Sequence, residues 1–414
     1  MGHYLPEGFG RTRSGTDVPA RNDIPFSSRA IDDEQVQLMR DGLLLGGTLL
    51  VLIAVVIWDF RSSPDLSDPE SLRKVYTSDP SDWPEPTVED SIQWKALGVL
   101  PDSPYRNVDS LESLTTLGKK LFFDPRLSSS NQISCSSCHD PARGWSNARP
   151  TAVGHDHQTG KRNVPSLLNI WAMDPLFWDG REDSLAAQYI HAVSDSIEMN
   201  QDPDALPGKL AAIPGYNALF ARAFADSSVT LGRIGRALAQ FQRTIVSRES
   251  DFDRFVQGEE QALSDEALRG LHLFRTKARC MNCHHGRRFT DQKFHNLGLH
   301  YYGRKREDLG RYNVTGDPDD MGKFRTPSLR DVAYTGPWFH NGLVNDLEHA
   351  INMYEHGMAR PEPRPGMEDD PHYPVTSPLL KELDLTRAET DALVAFLHSI
   401  SERPRRVRRP ELPQ

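Results

Sequence analysis

Cys135-Ser136-Ser137-Cys138-His139 and Cys280-Met281-Asn282-Cys283-His284 decide how this chain is read. Each has the pattern C-x-x-C-H, in which two thiols can add to the vinyl groups of a heme and the adjoining imidazole can take an axial position on its iron. The sequence contains four cysteines, and the two motifs use all of them. One structural zinc site built from both pairs would need ligands 145 residues apart, from Cys135 to Cys280, far beyond zinc-ribbon spacing. A disulfide or a dithiol redox pair leaves the two histidines without a role. Two covalently bound hemes c account for every patterned residue.

The segments around the motifs repeat one plan. Gly118-x-x-Leu121-Phe122 precedes the first motif and Gly270-x-x-Leu273-Phe274 the second. Downstream, Pro165-Ser166-Leu167 matches Pro327-Ser328-Leu329, Pro175 matches Pro337, Phe177 matches Phe339, Gly180 matches Gly342 and Leu185 matches Leu347, each pair offset by 162. The cysteines are offset by 145, so the second copy carries about 17 extra residues between its motif and its Pro-Ser-Leu block. Tandem duplication of a helical heme domain explains the pattern. The copies differ where chemistry is expected to differ. Trp178 stands where the second copy has His340, and only the first has Gly154-His155-Asp156-His157 and Glu198-Met199-Asn200.

Apolar stripes at helical spacing flank both motifs: Leu111, Leu114, Leu117 and Leu121, then Leu231, Ile234, Leu238, Phe241 and Ile245 in the first copy. In the second, Ser264 is placed to cap a helix carrying Leu268, Leu271 and Phe274, and Thr386-x-x-Glu389 reads as a capping box before Leu393, Phe396, Leu397 and Ile400. The formal charge of −10 on 414 residues argues against nucleic acid as a partner and suits a basic protein partner. Leu43 to Trp58 is almost wholly apolar, and Arg11, Arg13, Arg21, Arg29 and Arg40 all precede it. That asymmetry predicts a single-pass inner-membrane anchor with a cytoplasmic N-terminus and catalytic domains in the periplasm.

The expected fold is all-α: two tandem cytochrome c-like heme domains preceded by one N-terminal transmembrane helix. The divisions are a polar N-terminus over 1–40, the anchor over 41–60, a Pro-, Ser- and Asp-rich tether over 61–105, a first heme domain over 106–250, a second over 251–402, and a solvated basic tail over 403–414.

Over roughly residues 106–400 the sequence resembles the bacterial diheme cytochrome c peroxidase and MauG superfamily. The resemblance runs through Leu121-Phe122-Phe123-Asp124-Pro125-Arg126-Leu127-Ser128, the first heme motif, Gly160-Lys161-Arg162-Asn163, Phe177-Trp178-Asp179-Gly180-Arg181, Glu198-Met199-Asn200, the second heme motif and Trp338-Phe339-His340-Asn341-Gly342. It implies a peroxide-reacting first heme and an electron-handling second heme, with His139 and His284 as proximal ligands. It implies His155 as the residue capping the resting first heme, with His157 its nearest rival, and Glu198 as the distal carboxylate that moves peroxide's proton. Gln188 matches a distal-pocket residue, and Trp178 an indole between the hemes. Calcium between the domains would be held by Asn163, Thr335 and Pro337. The second heme's sixth ligand is Tyr354 by alignment from Gly342 through Leu347, with Met353 and Met358 as rivals; tyrosine would favour oxidised iron and methionine reduced iron. The implied activity is reduction of hydrogen peroxide to water with electrons from a small c-type cytochrome. The alternatives are a MauG-like oxidase acting on side chains of a partner protein and a non-catalytic diheme carrier. A homodimer is compatible with the resemblance.

Overall fold

A computed structural model of the chain describes residue 66 and residues 68–414, so the expected anchor and the polar segment before it lie outside the described residues. Among the described residues no helix is long and apolar enough to cross a membrane. The helices are α1 (Pro69–Tyr76), α2 (Glu112–Phe123), α3 (Cys135–Cys138), α4 (Leu185–Ser194), α5 (Leu206–Ala211), α6 (Pro214–Phe224), α7 (Leu231–Arg243), α8 (Asp251–Val256), α9 (Asp265–Arg275), α10 (Tyr312–Thr315), α11 (Leu347–Glu355) and α12 (Arg387–Ser399). The helical expectation meets one exception, an antiparallel ribbon of β1 (Phe294–Asn296) and β2 (Lys323–Arg325), in which Phe294 faces Arg325.

Each copy is built on one close helix pair. In the first, α2 packs on α7 and α4 also leans on α7; in the second, α9 packs on α12 with α11 beside it. Glycine makes the approach close. A Cβ on Gly118 would stand 1.9 Å from the Ala237 carbonyl oxygen, and one on Gly270 would stand 1.9 Å from that of Ala392. Leu117, Leu121, Phe122 and Leu238 fill the first core, and Leu268, Leu271, Phe274 and Phe396 the second. Each such side chain contributes about 1.5–3 kcal/mol through burial. Ser264 caps α9, and Thr386 and Glu389 form the capping box of α12.

The 162-residue offset extends to single backbone angles. Asn169 and Asp331 (φ 58° and 60°), Phe177 and Phe339 (66° and 63°), and Gly180 and Gly342 (65° and 61°) are left-handed in pairs. Where the halves meet, the Asn163 N–H donates to the His340 carbonyl (2.7 Å) and the Arg325 N–H to the Trp178 carbonyl (2.8 Å). Because 163 corresponds to 325 and 178 to 340, this is the reciprocal contact of a twofold dimer, made within one chain.

Two segments depart from expectation. The stretch read as a tether is a strap on the second domain, with Leu72, Tyr76, Trp83 and Leu97 buried in its core. Arg73 pairs with Asp265 at 2.5 Å, and Arg275 lies over the rings of Trp83 (5.2 Å), Tyr76 and Trp94 (6.0 Å each). The prolines and serines lie between apolar anchors spaced to meet a surface, so composition alone misled. The tail over 403–414 is not free either. Its backbone returns to the first domain, where the Gly215 N–H donates to the Gln414 carbonyl (2.9 Å) and Arg126 to that of Pro413 (2.9 Å). Arg405, Arg406, Arg408 and Arg409 remain exposed while Val407 packs on the first core.

Candidate active site

Both heme motifs curl into a helical turn closed by the histidine's own backbone. The His139 N–H donates to the Cys135 carbonyl (2.9 Å), and that of His284 to the Cys280 carbonyl (2.8 Å). In each ring Nδ1 meets a carbonyl, of Trp145 for His139 (3.0 Å) and of Phe289 for His284 (2.9 Å). An Nδ1–H held this way orients the imidazole and leaves Nε2 as the ligand atom. Burial pushes the His139 pKa down to about 4 and lowers that of His284, so both rings are neutral, as iron ligation requires. None of the four cysteines is joined in a disulfide, so each motif keeps both sulfurs for thioether attachment.

One cavity of about 1230 Å³ is walled by Cys138 and His139 and also by Cys280, Cys283 and His284. A single small-molecule site holds about 300–1,000 Å³, so this space suits two cofactors. Its thiols, neutral imidazoles and apolar walls fit hemes c, and a four-cysteine zinc site is not formed among the described residues.

The 162-residue offset relates α4 to α11 residue by residue, and the two helices present different groups to the cavity. Gln188 and Ala192 line it from α4, whereas the corresponding Ala350 and Tyr354 line it from α11. Tyr354 is therefore matched by a methyl group in the first half. Burial, with the Cys283 and Cys280 thiols nearby, raises its phenol pKa. Neither Met353 nor Met358 reaches the cavity wall. Glu198 does reach it, from a turn in which Asp195 Oδ1 accepts the Glu198 N–H (3.1 Å). Burial, then the Asp195 charge, lifts its carboxyl to about 7, while Arg181 acts the other way.

His155 stands behind this turn and not on the wall. Its backbone N–H donates to the carbonyls of Ile197 (2.7 Å) and Glu198 (3.0 Å). Gly154 permits the approach, since a Cβ there would lie 2.1 Å from the Ile197 oxygen. The His155 Nδ1 is buried without a hydrogen-bond partner, and His157 is exposed. Trp178 lines the cavity and its indole N–H donates to the Asn163 carbonyl (2.9 Å). Asn163, Thr335 and Pro337 line the same cavity, and the Asn163 amide N–H group donates to the carbonyls of Arg149 (3.1 Å) and Pro150 (3.3 Å). The three-residue His, Cys and carboxylate grouping among the described residues is Cys283, Asp291 and His295, of which Cys283 and His295 line this cavity, and it includes none of Asn163, Thr335 and Pro337.

Residues 112–261 match the family model for di-haem cytochrome c peroxidase, and residues 267–401 match that for cytochrome c. Methylamine utilization protein MauG of Methylophilus methylotrophus is 36% identical over 321 residues, covering 76% of this chain and 90% of that protein. Cytochrome c551 peroxidase of Pseudomonas aeruginosa is 34% identical over 311 residues, covering 73% and 82%. This chain belongs to the diheme cytochrome c peroxidase and MauG family. It is an oxidoreductase with two c-type hemes. Among solved structures, a MauG-like protein associated with microbial copper homeostasis superposes with a TM-score of 0.64 at 31% identity, covering 76% of this chain and 95% of that one.

The motifs contain Arg162, Asp179 and Gly180 without assigning them a role, and they omit Asp308 and Arg311. Arg162 reaches Asp308 through two bonds (2.6 and 2.7 Å) and Asp179 through a third (2.5 Å), while Arg311 donates to the carbonyls of Asp179 (3.0 Å) and Gly180 (2.6 Å). The segment of extra residues in the second copy thus grips the loop that carries Trp178. His340, in Trp178's corresponding place, lies flat on Phe324 with ring centroids 3.5 Å apart. Carrying the offset through α4 and α11 would have revealed the Ala192 and Tyr354 pair from sequence; the Arg162 contacts have no such local signal.

Proposed function

We propose that this enzyme turns over hydrogen peroxide at the first heme site and draws the two electrons required through the second, where His284 and Tyr354 would hold the heme iron. The observation that carries this reading is the exchange between α4 and α11. Ala192 presents only a methyl group to the cavity that Gln188 and Glu198 also line, whereas Tyr354 presents a phenol from the corresponding position of the second half. A heme c on Cys135, Cys138 and His139 supplies the redox-active iron at which the peroxide O–O bond is cleaved. Glu198 takes a proton from one peroxide oxygen and returns it to the departing oxygen, a transfer suited to a carboxyl whose pKa lies near 7. Peroxide, two protons and two electrons become two waters. Gln188 orients the peroxide by hydrogen bonding, and Trp178 relays electrons between the halves.

Tyr354 favours a MauG-like use of these electrons. Bound to the metal through a deprotonated oxygen, Tyr354 would hold that iron oxidised, so the second site would store no reducing electron; it would pass electrons on to the peroxide-oxidised first site, and oxidisable side chains of a partner protein would replace them. A small c-type cytochrome as donor is the second reading, supported by His155 lying directly behind Glu198. The catalytic domains act in the periplasm, held to the inner membrane by residues 41–60; the apolar run from Leu43, the five arginines before it and the two heme-attachment motifs support this placement.

The test mixes the oxidised diheme protein with peroxide and no reductant, then adds reduced small cytochrome c, for the wild type and for Tyr354→Phe. A fast optical change before any reductant, with the second heme's spectrum altered by the substitution, is expected. Rapid cytochrome oxidation indifferent to Tyr354→Phe would sink the tyrosine assignment and restore the cytochrome-donor reading.

A further inference from the structure

We infer that Arg325 is the counter-cation of a heme propionate carboxylate at the junction of the two halves. The side chain is 6% exposed and lines the shared cavity. Its backbone N–H is spent on the Trp178 carbonyl (2.8 Å) and its Nε–H on the Phe177 carbonyl (3.0 Å). Nη1 is buried and has no partner. No carboxylate of the described residues comes within ion-pair distance of it, and burial alone lowers its pKa, to about 10. A buried cation without a counter-charge is strongly disfavoured, so the cavity itself must bring the anion.

Other arginines, buried or half-buried, show what is absent here. Arg330 pairs with Asp253 (2.9 Å), and Arg162 with Asp179 and Asp308. Arg275 also has unpartnered nitrogens, but it lies over three aromatic rings and does not line the cavity. Arg325 alone of these four lines the cavity without a carboxylate partner. The residue 162 positions earlier is Asn163, an uncharged amide, so this charge is also a difference between the copies. A heme c attached through its vinyl groups keeps two free propionates, and a guanidinium meets a carboxylate through paired N–H bonds. Arg325 then links a propionate to the carbonyls of Phe177 and Trp178, and so positions the indole relative to the cofactor. The inference needs only the two hemes and holds whichever electron source the enzyme uses.

Reductive titration of the full heme-loaded chain tests it, with heme content measured in parallel. In Arg325→Gln one of the two midpoint potentials should fall, because an uncompensated propionate charge disfavours electron uptake at the iron, and Arg325→Lys should recover most of that fall. Unchanged potentials in Arg325→Gln overturn the assignment. If Arg325→Gln does not retain its hemes, Arg325→Lys decides: potentials close to wild type support the ion pair, and a deep fall despite the retained cation overturns it. Addition of inorganic phosphate at constant ionic strength distinguishes a solvent anion from a propionate. Wild-type potentials that move with phosphate would show a free ion at Arg325 and defeat the proposal.

Discussion

The first and second halves of this chain share a scaffold that repeats to within a few degrees of φ at Asn169 and Asp331, Phe177 and Phe339, and Gly180 and Gly342. They diverge at a handful of side chains facing the space between them. Ala192 answers Tyr354, Gln188 answers Ala350, Trp178 answers His340 and Asn163 answers Arg325. Packing explains the conserved set, because close helix crossings and left-handed turns admit few residues. Wall positions tolerate exchange of side chains without disturbing that scaffold. Duplication therefore left two cradles on one scaffold, and a few wall residues set them apart, with a methyl group at Ala192 where the second half presents the Tyr354 phenol.

If that division is right, the halves can be made alike by substitution. The largest effect is expected from Ala192→Tyr, which gives the first half the filled wall of the second; peroxide reactivity should be abolished while both hemes stay attached, as stopped-flow absorbance would show. Next is Glu198→Gln, expected to slow the peroxide reaction by about 10²–10⁴-fold, the usual contribution of a general acid–base group. The pH profile follows from the raised pKa of about 7. Below that pH the carboxyl keeps its proton and cannot accept one from peroxide; above it the carboxylate can. The wild-type rate should climb through neutrality and the Glu198→Gln rate should stay flat. A matching climb in the variant would assign the titration to another group.

Much of this was legible in the sequence because it was repeated or confined to short spacings. The C-x-x-C-H motifs, the Ser264 cap and the Thr386 capping box each depend on residues a few positions apart, so local chemistry carries them, and the offset of 162 is visible because one pattern occurs twice. The strap over residues 68–105 was not legible as packed structure. Only Leu72 and Tyr76 keep a helical spacing, on the short α1, while Trp83 and Leu97 follow no period, and Pro and Ser between the anchors mimic a linker. The basic tail misled in the same way, since its exposed arginines hide backbone bonds to Gly215 and Arg126. Arg162 and Asp308 are 146 residues apart, and their pairing follows from no local pattern. His155 shows the limit of a motif: its position is tied to Glu198 by backbone bonds, yet its ring does not line the cavity.

The strap supports the second half as the 403–414 tail supports the first, but with far more buried side chains, and this asymmetry is open to measurement. Trp83→Ala removes a ring buried to 5% exposure from beneath Arg275 and should cost about 3–5 kcal/mol, the usual range for truncating a buried aromatic residue. The loss should appear as release of the second domain's order in denaturant, with the first domain unaffected.

A smaller and sharper comparison uses the paired glycines. Gly118→Ala and Gly270→Ala each push a methyl group against a backbone carbonyl at a nominal 1.9 Å, so the helix pair must separate in both. Overpacking of this kind costs about 1–3 kcal/mol. Because the contacts correspond, with Ala237 and Phe241 in one half and Ala392 and Phe396 in the other, the two substitutions should destabilise their own domains by similar amounts. Each half's scaffold would then be shown to depend on the same crossing. A cost at Gly270 much below that at Gly118 would mean that the strap, which packs α1 against α9, offsets strain that the first half's own neighbours of its helix pair do not.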